Sequence, residues 1–286
     1  MSIATLSQSS AKLDDAEVLT QARAMNLAPG GGVGQAQLMG ALYRPGISLA
    51  ELTALIAGEP ALALRTLKVA NSAYYRRCGE VGTVDRAVQV LGATTVKGIA
   101  AAACLDRVMT AHPGMAAAEA ARLRHHCIAA ALAAQALARR CAPALEPEAF
   151  MAGVLHEVGM LVFWALRPDV MARQLAQGEV HPDLGISHAH CGQLVMQAWQ
   201  LPVWLQLSVA HHHAGALPEG MAGEMCAITR LADALASRTG HGLGDDDEHA
   251  DMDLALARCD LTEADLEALA AELPEAVEGF LGALNS

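Results

Sequence analysis

The side chains in this 286-residue chain best equipped for chemistry are its 12 histidines and 7 cysteines. Imidazole changes charge near neutral pH and binds transition metals, while a thiolate attacks electrophiles or holds zinc. The cysteines, at 78, 104, 127, 141, 191, 226 and 259, are odd in number and never spaced C-x-x-C. That pattern argues against a disulfide framework or a zinc knuckle and suits a reducing cytosol. The histidines are more suggestive. His125 shares a helix face with Ile128 and Leu132, so its ring is expected to point inward. His156 shares its face with Ala149, Ala152 and Gly153, small residues that let neighbouring helices approach closely. His188 and His190 lie two apart and diverge on a helix, so one of the two is expected in any common site. Asp233 falls on a face with Thr229, Arg230 and Ser237, a polar pocket or a wet edge. The run His211-His212-His213 is flanked by apolar helical sequence, which excludes a tag and leaves a site or a surface run.

Other chemistries find little support. Gly30-Gly31-Gly32-Val33-Gly34 has no Lys-Ser/Thr after it and no strand before it, so it reads as a loop rather than a phosphate cradle. Ser9, Ser10 and Ser208 have no evident base, which leaves a serine hydrolase unsupported. The net charge of −12 is concentrated in residues 244–286, where 13 acids face one base, Arg258. The rest of the chain holds 18 of each sign and no basic stripe of the kind that phosphate-backbone binding requires. No direct nucleic-acid ligand is expected. The N-terminal MSIATLSQSSAKLDD lacks the apolar core of a signal peptide, and Cys127–Ala134, the longest apolar run, is far short of the ~20 residues of a bilayer span. A cytoplasmic protein without a membrane partner is expected.

The elements that must position these groups are helices. Hydrophobic residues make up 53% of the chain, much of that alanine, and only 3% is aromatic. Ala, Leu, Met, Gln, Glu and Arg lose little rotamer freedom in a helix, and no run of alternating β-branched residues asks for a sheet. The fold class is all-α. Residues 1–13 read as a disordered leader and 14–27 as a helix stopped at Pro29-Gly30; a second helix is expected over 35–43. Ser48 and Glu51 form a capping-box pattern, Pro60 opens a helix that runs to about Asn71, and Thr83 caps the next. Gly92 and Gly98 flank a short link into an Ala-rich helix, and His112-Pro113-Gly114 marks a boundary. Further helices are expected over 117–140, 147–165, 168–177, two within 188–214 and one over 221–238. Residues 240–248 read as a flexible acidic linker, followed by a helix capped by Thr262 and Asp265 and a short closing one. Met160, Met171 and Met196 read as core filler, and Trp164, Trp199 and Trp204 as helix-junction anchors.

Five blocks in this framework carry a resemblance. Ile56-Ala57-Gly58-Glu59-Pro60-Ala61-Leu62 with Leu67–Ala73 (LKVANSA) is similar to the signature of the HD-related output domain (HDOD) family, which usually has Asp at the place of Glu59. Val84–Gly92 (VDRAVQVLG), Ala152–Gly159 (AGVLHEVG), His188–Pro202 (HAHCGQLVMQAWQLP) and His212-His213 follow in the family's order, over about residues 25–215. The resemblance implies a helical N-terminal subdomain (14–115) packed on an HD-like helical bundle (116–240), with the acidic linker and C-terminal helices of 241–286 as a tail. That tail is expected to be a solvated helical appendix, so that a chain ending before residue 244 would still fold. Asn71 at its helix end is expected to serve a turn.

What the resemblance implies for chemistry is a metal site. HD enzymes gather His and Asp from several helices around one or two metal ions that activate water and neutralise phosphate. Matched position by position, the candidate ligands are His125, His156, Glu157, His188, His212 or His213, and Asp233, the last only by its place in a late helix. Two departures weigh against catalysis. Glu157 stands where active enzymes have Asp, and Met160 stands where HD-GYP enzymes carry a phosphate-holding Lys. The expectation is therefore a relic site: no catalytic residues and no cofactor, or Fe, Mn or Zn where the site assembles. The function expected is a non-catalytic bacterial signal-transduction module that binds a signalling protein partner, linked to cyclic-dinucleotide or two-component systems. The alternative is a metal-dependent HD phosphohydrolase acting on a nucleotide or cyclic dinucleotide. No receiver, GGDEF or EAL sequence is present, so input is expected from a separate partner or a small ligand.

Overall fold

A computed structural model describes residues 12–25, 41–42, 46–72, 75, 80–111, 115–175, 184–213, 215–243 and 251–285. The helix expected at 35–43, the 112–114 boundary and the acidic run 245–248 lie largely or wholly outside them. Among the described residues there is no strand. The helices are α1 Asp15–Met25, α2 Leu49–Ala57, α3 Pro60–Ala70, α4 Val84–Ala111 and α5 Ala117–Cys141; a 3-10 turn, Pro143–Leu145, leads to α6 Glu146–Leu155. Then come α7 Val158–Leu166, α8 Pro168–Leu175, α9 His188–Ala198, α10 Val203–Ala210 and α11 Gly220–Ala236 with a wide π turn, Ser237–His241, and finally α12 Met252–Cys259 and α13 Glu263–Asn285.

Local sequence sets most of these ends. The Ser48 hydroxyl accepts from the Glu51 N–H while the Glu51 carboxylate accepts from the Ser48 N–H, the reciprocal cap read from the sequence. Pro60 occupies the first turn of α3, where its missing N–H costs nothing. Asn71 ends α3 and does more than turn the chain: its amide donates to the Val81 carbonyl and accepts from the Val81 N–H, both at 2.8 Å, pinning the segment that enters α4. Gly92 takes φ 77°, which puts a sharp kink in α4 that glycine tolerates best. The expected link at Gly92–Gly98 is thus a single-residue break, and Gly98 lies inside the helix under the Phe150 ring, where no side chain fits.

Helix α5 is the central post. Its residues from His126 through Gln135 are all buried, and α6, α11 and α13 pack around it. Alanines at 129–131 and 133–134 let the axes come close, and Gly153 of α6 is seated directly on the α5 backbone: a Cβ there would lie 2.5 Å from Ala131 Cα. At the other side of the bundle Gly159 of α7 meets Gly192 and the His188 carbonyl of α9 in the same manner. Glu148–Leu166 is long and apolar enough to cross a membrane by length and composition, a longer apolar segment than Cys127–Ala134, but 89% of its window is buried inside the protein.

Two expectations are corrected by burial. Leu13, at the end of the expected leader, belongs to the folded core: it is buried and its N–H donates to the Leu184 carbonyl at 2.7 Å. The C-terminal helices are no solvated appendix. Leu266, Leu269, Leu273, Val277 and Phe280 fall at helical spacing on one face of α13, and that face closes over α5 and α3, with Phe280 against Phe150 at 5.9 Å between ring centroids. The acids of α13 occupy its outer face, so the charge on this helix is an exterior whose interior is core. Helix α12, packed on α11, is an element the sequence did not announce.

Candidate metal centre

The bundle breaks where α6 gives way to α7. His156 caps α6 and Glu157 precedes α7, so two adjacent side chains turn into the interior from a gap in helical structure. Around them stand His126 from the middle of α5, Asp233 from α11, His188 from the first position of α9, and His212 and His213 from the turn after α10. The seven side chains form two groups of four potential donors, His126–His156–Glu157–Asp233 and Glu157–His188–His212–His213. Within each group the donor atoms lie within 4.8 Å of one another, and Glu157 belongs to both.

Hydrogen bonds to the backbone fix the ring orientations. A carbonyl can only accept, so an imidazole nitrogen beside one must carry the proton. His126 Nδ1 donates to the His241 carbonyl (2.9 Å), His156 Nδ1 to the Gly153 carbonyl (2.7 Å) and His212 Nδ1 to the Val209 carbonyl (2.6 Å). All three therefore turn Nε2 inward as a lone pair when neutral, the orientation of a metal-ligating histidine held by an outer partner. His126 Nε2 and His156 Nε2 then face each other at 2.9 Å, and His212 Nε2 lies 3.1 Å from His188 Nε2, itself 2.9 Å from His213 Nε2. Facing lone pairs repel, so the cluster requires protons or a cation between its rings.

The carboxylates answer the same need. Asp233 Oδ1 is 3.2 Å from His126 Nε2 and 3.6 Å from His156 Nε2, and its Oδ2 is 3.7 Å from His213 Nδ1. Glu157 Oε1 sits 3.7 Å from both His156 and His212 Nε2, and Oε2 lies 3.6 Å from His188 Nε2. Burial would lower the His156 imidazolium, but the Asp233 hydrogen bond and the charges of Asp233 and Glu157 outweigh it and raise its pKa to about 9. Burial would raise both carboxyls; the facing imidazoles instead hold Glu157 and Asp233 well below the usual carboxylate range. Glu157 Oε2 is buried with no hydrogen-bond partner. Such an oxygen among convergent Nε2 atoms is what a cation would satisfy, and mixed imidazole–carboxylate donors suit Mn, Fe or Zn.

Of the residues expected in the site, His156, Glu157, His188, His212, His213 and Asp233 are brought together. His125 is not: it is half-buried and belongs to neither donor group, and His126 takes the place assigned to it. The apolar face of His125 is not decisive because α5 is buried on every side from His126 to Gln135. The telling signal was the small-residue stripe at Ala130 and Ala133, four and seven residues beyond His126, the same logic that oriented His156. His190 leaves the site as expected and meets Asp15 Oδ1 at 3.2 Å on the surface. Asp233 lies in a polar pocket, 1% exposed, rather than on a wet edge.

A family model described as the HDOD domain matches residues 35–215. The chain belongs to the HDOD family. Among solved structures the HDOD chain is similar to an HDOD domain protein of unknown function from Geobacter sulfurreducens (TM-score 0.72, 21% identity, 93% of this chain and 99% of that one). It is also similar to a candidate phosphohydrolase from Shewanella amazonensis SB2B (TM-score 0.67, 24% identity, 93% and 98%) and to a candidate signal-transduction protein from Marinobacter aquaeolei VT8 (TM-score 0.71, 21% identity, 97% and 68%). At these identities the likeness is one of fold. An uncharacterized protein of Treponema pallidum (strain Nichols) is 24% identical over 190 residues, which span 62% of this chain and 36% of that protein, so the match covers about a third of the relative's length.

Proposed function

We propose that this HDOD protein is a non-hydrolytic, cytoplasmic signalling module that acts through a protein partner, and that its histidine–carboxylate centre holds divalent metal as an internal brace. The observation that carries this reading is a donor set that is largely shut off from solvent, with only His213 substantially exposed, at 24%. His126, His156, Glu157, His212 and Asp233 are each no more than 1% exposed. The cavity beside Glu157, lined also by Arg124, Cys127, Val154 and Leu161, has a volume of about 10 Å³. That is room for about one water and no nucleotide. Met160, where a phosphate-holding lysine would stand, is buried at 3% and packs as core.

When bound, the metal would supply Lewis acidity and could lower the pKa of a coordinated water. The chain's own residues do the rest: the carbonyls of His241, Gly153 and Val209 fix three histidine tautomers, and the Glu157 carboxylate faces both donor groups. Helices from both halves of the chain, α5, α6, α7, α9 and α11, are thereby tied at one point. A partner that shifts any of them would feel the centre, and exposed Leu49, Leu64 and Val203 give it apolar contact points.

A second reading, a metal-dependent phosphohydrolase acting on a nucleotide or cyclic dinucleotide, is favoured by one observation, the carboxylate shared between two donor groups. Turnover decides between them. Protein reconstituted with Mn, Fe or Zn is expected to hydrolyse nothing in a panel of nucleotides and cyclic dinucleotides. Turnover abolished by His156→Ala would replace the first reading by the second.

A further inference from the structure

Three residues before Asp233, α11 carries Arg230, whose large side chain is fully buried. Taking a guanidinium out of water is costly unless its donors are used; here the two terminal nitrogens are spent on one turn, while the buried Nε makes no hydrogen bond. One terminal nitrogen donates to the His211 carbonyl at 2.9 Å and to the Gly215 carbonyl at 3.0 Å; the other points to the Asp251 carbonyl at 3.5 Å, with the Asp251 carboxylate at 4.0 Å. That carboxylate accepts the Gly215 N–H at 3.2 Å. Both ends of the turn bearing His212 and His213 are thus clamped, from one side by Arg230 and from the other by Asp251, the residue that opens α12. Asp251 itself sits at φ 61°, a left-handed conformation that aspartate accepts more readily than most residues and that aims its carboxylate back at Gly215.

We propose that Arg230 and Asp251 are a positioning pair for the donors His212 and His213, so that the C-terminal segment sets how tightly the metal centre closes. The inference rests on the metal-binding reading above. His212 Nε2 must stay beside Glu157 Oε1, and its Nδ1 bond to Val209 restrains the ring but not the turn beyond it. A planar fork spanning two carbonyls holds such a turn; an ammonium, a single point of charge, cannot span both in the same way. The clamp also gives the acidic C-terminal segment a direct route to the site, because α12 begins on Asp251.

The test is a Co(II) titration of the metal-stripped full chain, read by visible absorption and by metal per chain. Wild type is compared with Arg230→Lys, Asp251→Gly and Phe280→Ala; Asp251→Gly removes the carboxylate that accepts the Gly215 N–H while glycine tolerates φ 61°, and Phe280→Ala is a core change in α13. Arg230→Lys and Asp251→Gly are expected to weaken Co(II) binding about 10- to 100-fold and to alter the ligand-field bands, as loss of outer-shell support does. Phe280→Ala is expected to lower stability with affinity and bands unchanged. If Arg230→Lys does not fold, Asp251→Gly decides, since the Asp251 side chain is half-exposed. Wild-type affinity and bands in Asp251→Gly would overturn the clamp while leaving the metal reading intact. Failure of wild type to bind Co(II) would overturn both.

Discussion

Phe280→Ala tests whether the acidic C-terminal segment is part of the folding unit. Phe280 is 1% exposed and its ring lies 5.9 Å from that of Phe150, tilted by 51°, so its removal opens a void between α13 and the α5–α6 core. A buried Phe→Ala change costs about 3–5 kcal/mol, of which about 0.5–1.5 kcal/mol belongs to a well-placed aromatic pair. Against a total stability of about 5–15 kcal/mol that is a large fraction. Urea unfolding of metal-stripped protein, followed by the fluorescence of the three tryptophans, measures it. The expected result is one cooperative transition with the midpoint shifted down and its slope kept. A loss below about 1 kcal/mol would mean that Phe280 is not part of the core and that α13 is an independent tail. A chain ending at residue 243 removes all of α12 and α13 and is expected to lose cooperative unfolding altogether.

Three further outcomes follow from the same geometry. Gly153→Ala drives a methyl to 2.5 Å from Ala131 Cα and is expected to cost about 1–3 kcal/mol in thermal or urea unfolding, because backbone rather than a flexible side chain must give way. Asn71→Ala leaves the Val81 N–H and carbonyl without their side-chain partners and is expected to cost about 1–3 kcal/mol, read by the same assay. For metal-free protein in chelator, His156 is raised from 6.5 to about 9, so its contribution is full below pH 6.5 and is lost as pH climbs through 9. Glu157 and Asp233 are lowered from 4.5 and 3.8, so theirs is present above those values and is lost as pH falls below them. Melting temperature is therefore expected to peak between about pH 5 and 6.5, and the alkaline decline is expected to shrink once metal replaces the shared protons.

Much of the architecture is legible in residues whose effects are local. Ser48 with Glu51, Pro60 and the small residues around His156 each act within one helical turn, and the sequence shows all of them. His156-Glu157 is readable because two adjacent polar residues interrupt an otherwise apolar stretch. What escapes is set by distant partners. His125 and His126 are neighbours at the edge of the buried stretch of α5; the alanines at 130 and 133 mark the face of His126, but the partners on α6 and α11 that complete the site are distant in sequence. The face of α13 was hidden by its acids, since net charge says nothing about the stripe of Leu266, Leu273, Val277 and Phe280 beneath. Arg230 looked like one polar neighbour of Asp233; its role depends on His211, Gly215 and Asp251, none of which its own helix supplies.

If the seven converging side chains form a metal centre, metal content reveals it. Gently purified wild-type protein and His156→Ala are measured side by side for metal per chain. Near-stoichiometric divalent metal is expected in wild type and its loss in the variant, with the variant still folded. Absence of metal from wild type, even after incubation with Mn, Fe and Zn salts, would leave the cluster as histidines hydrogen-bonded around two buried carboxylates.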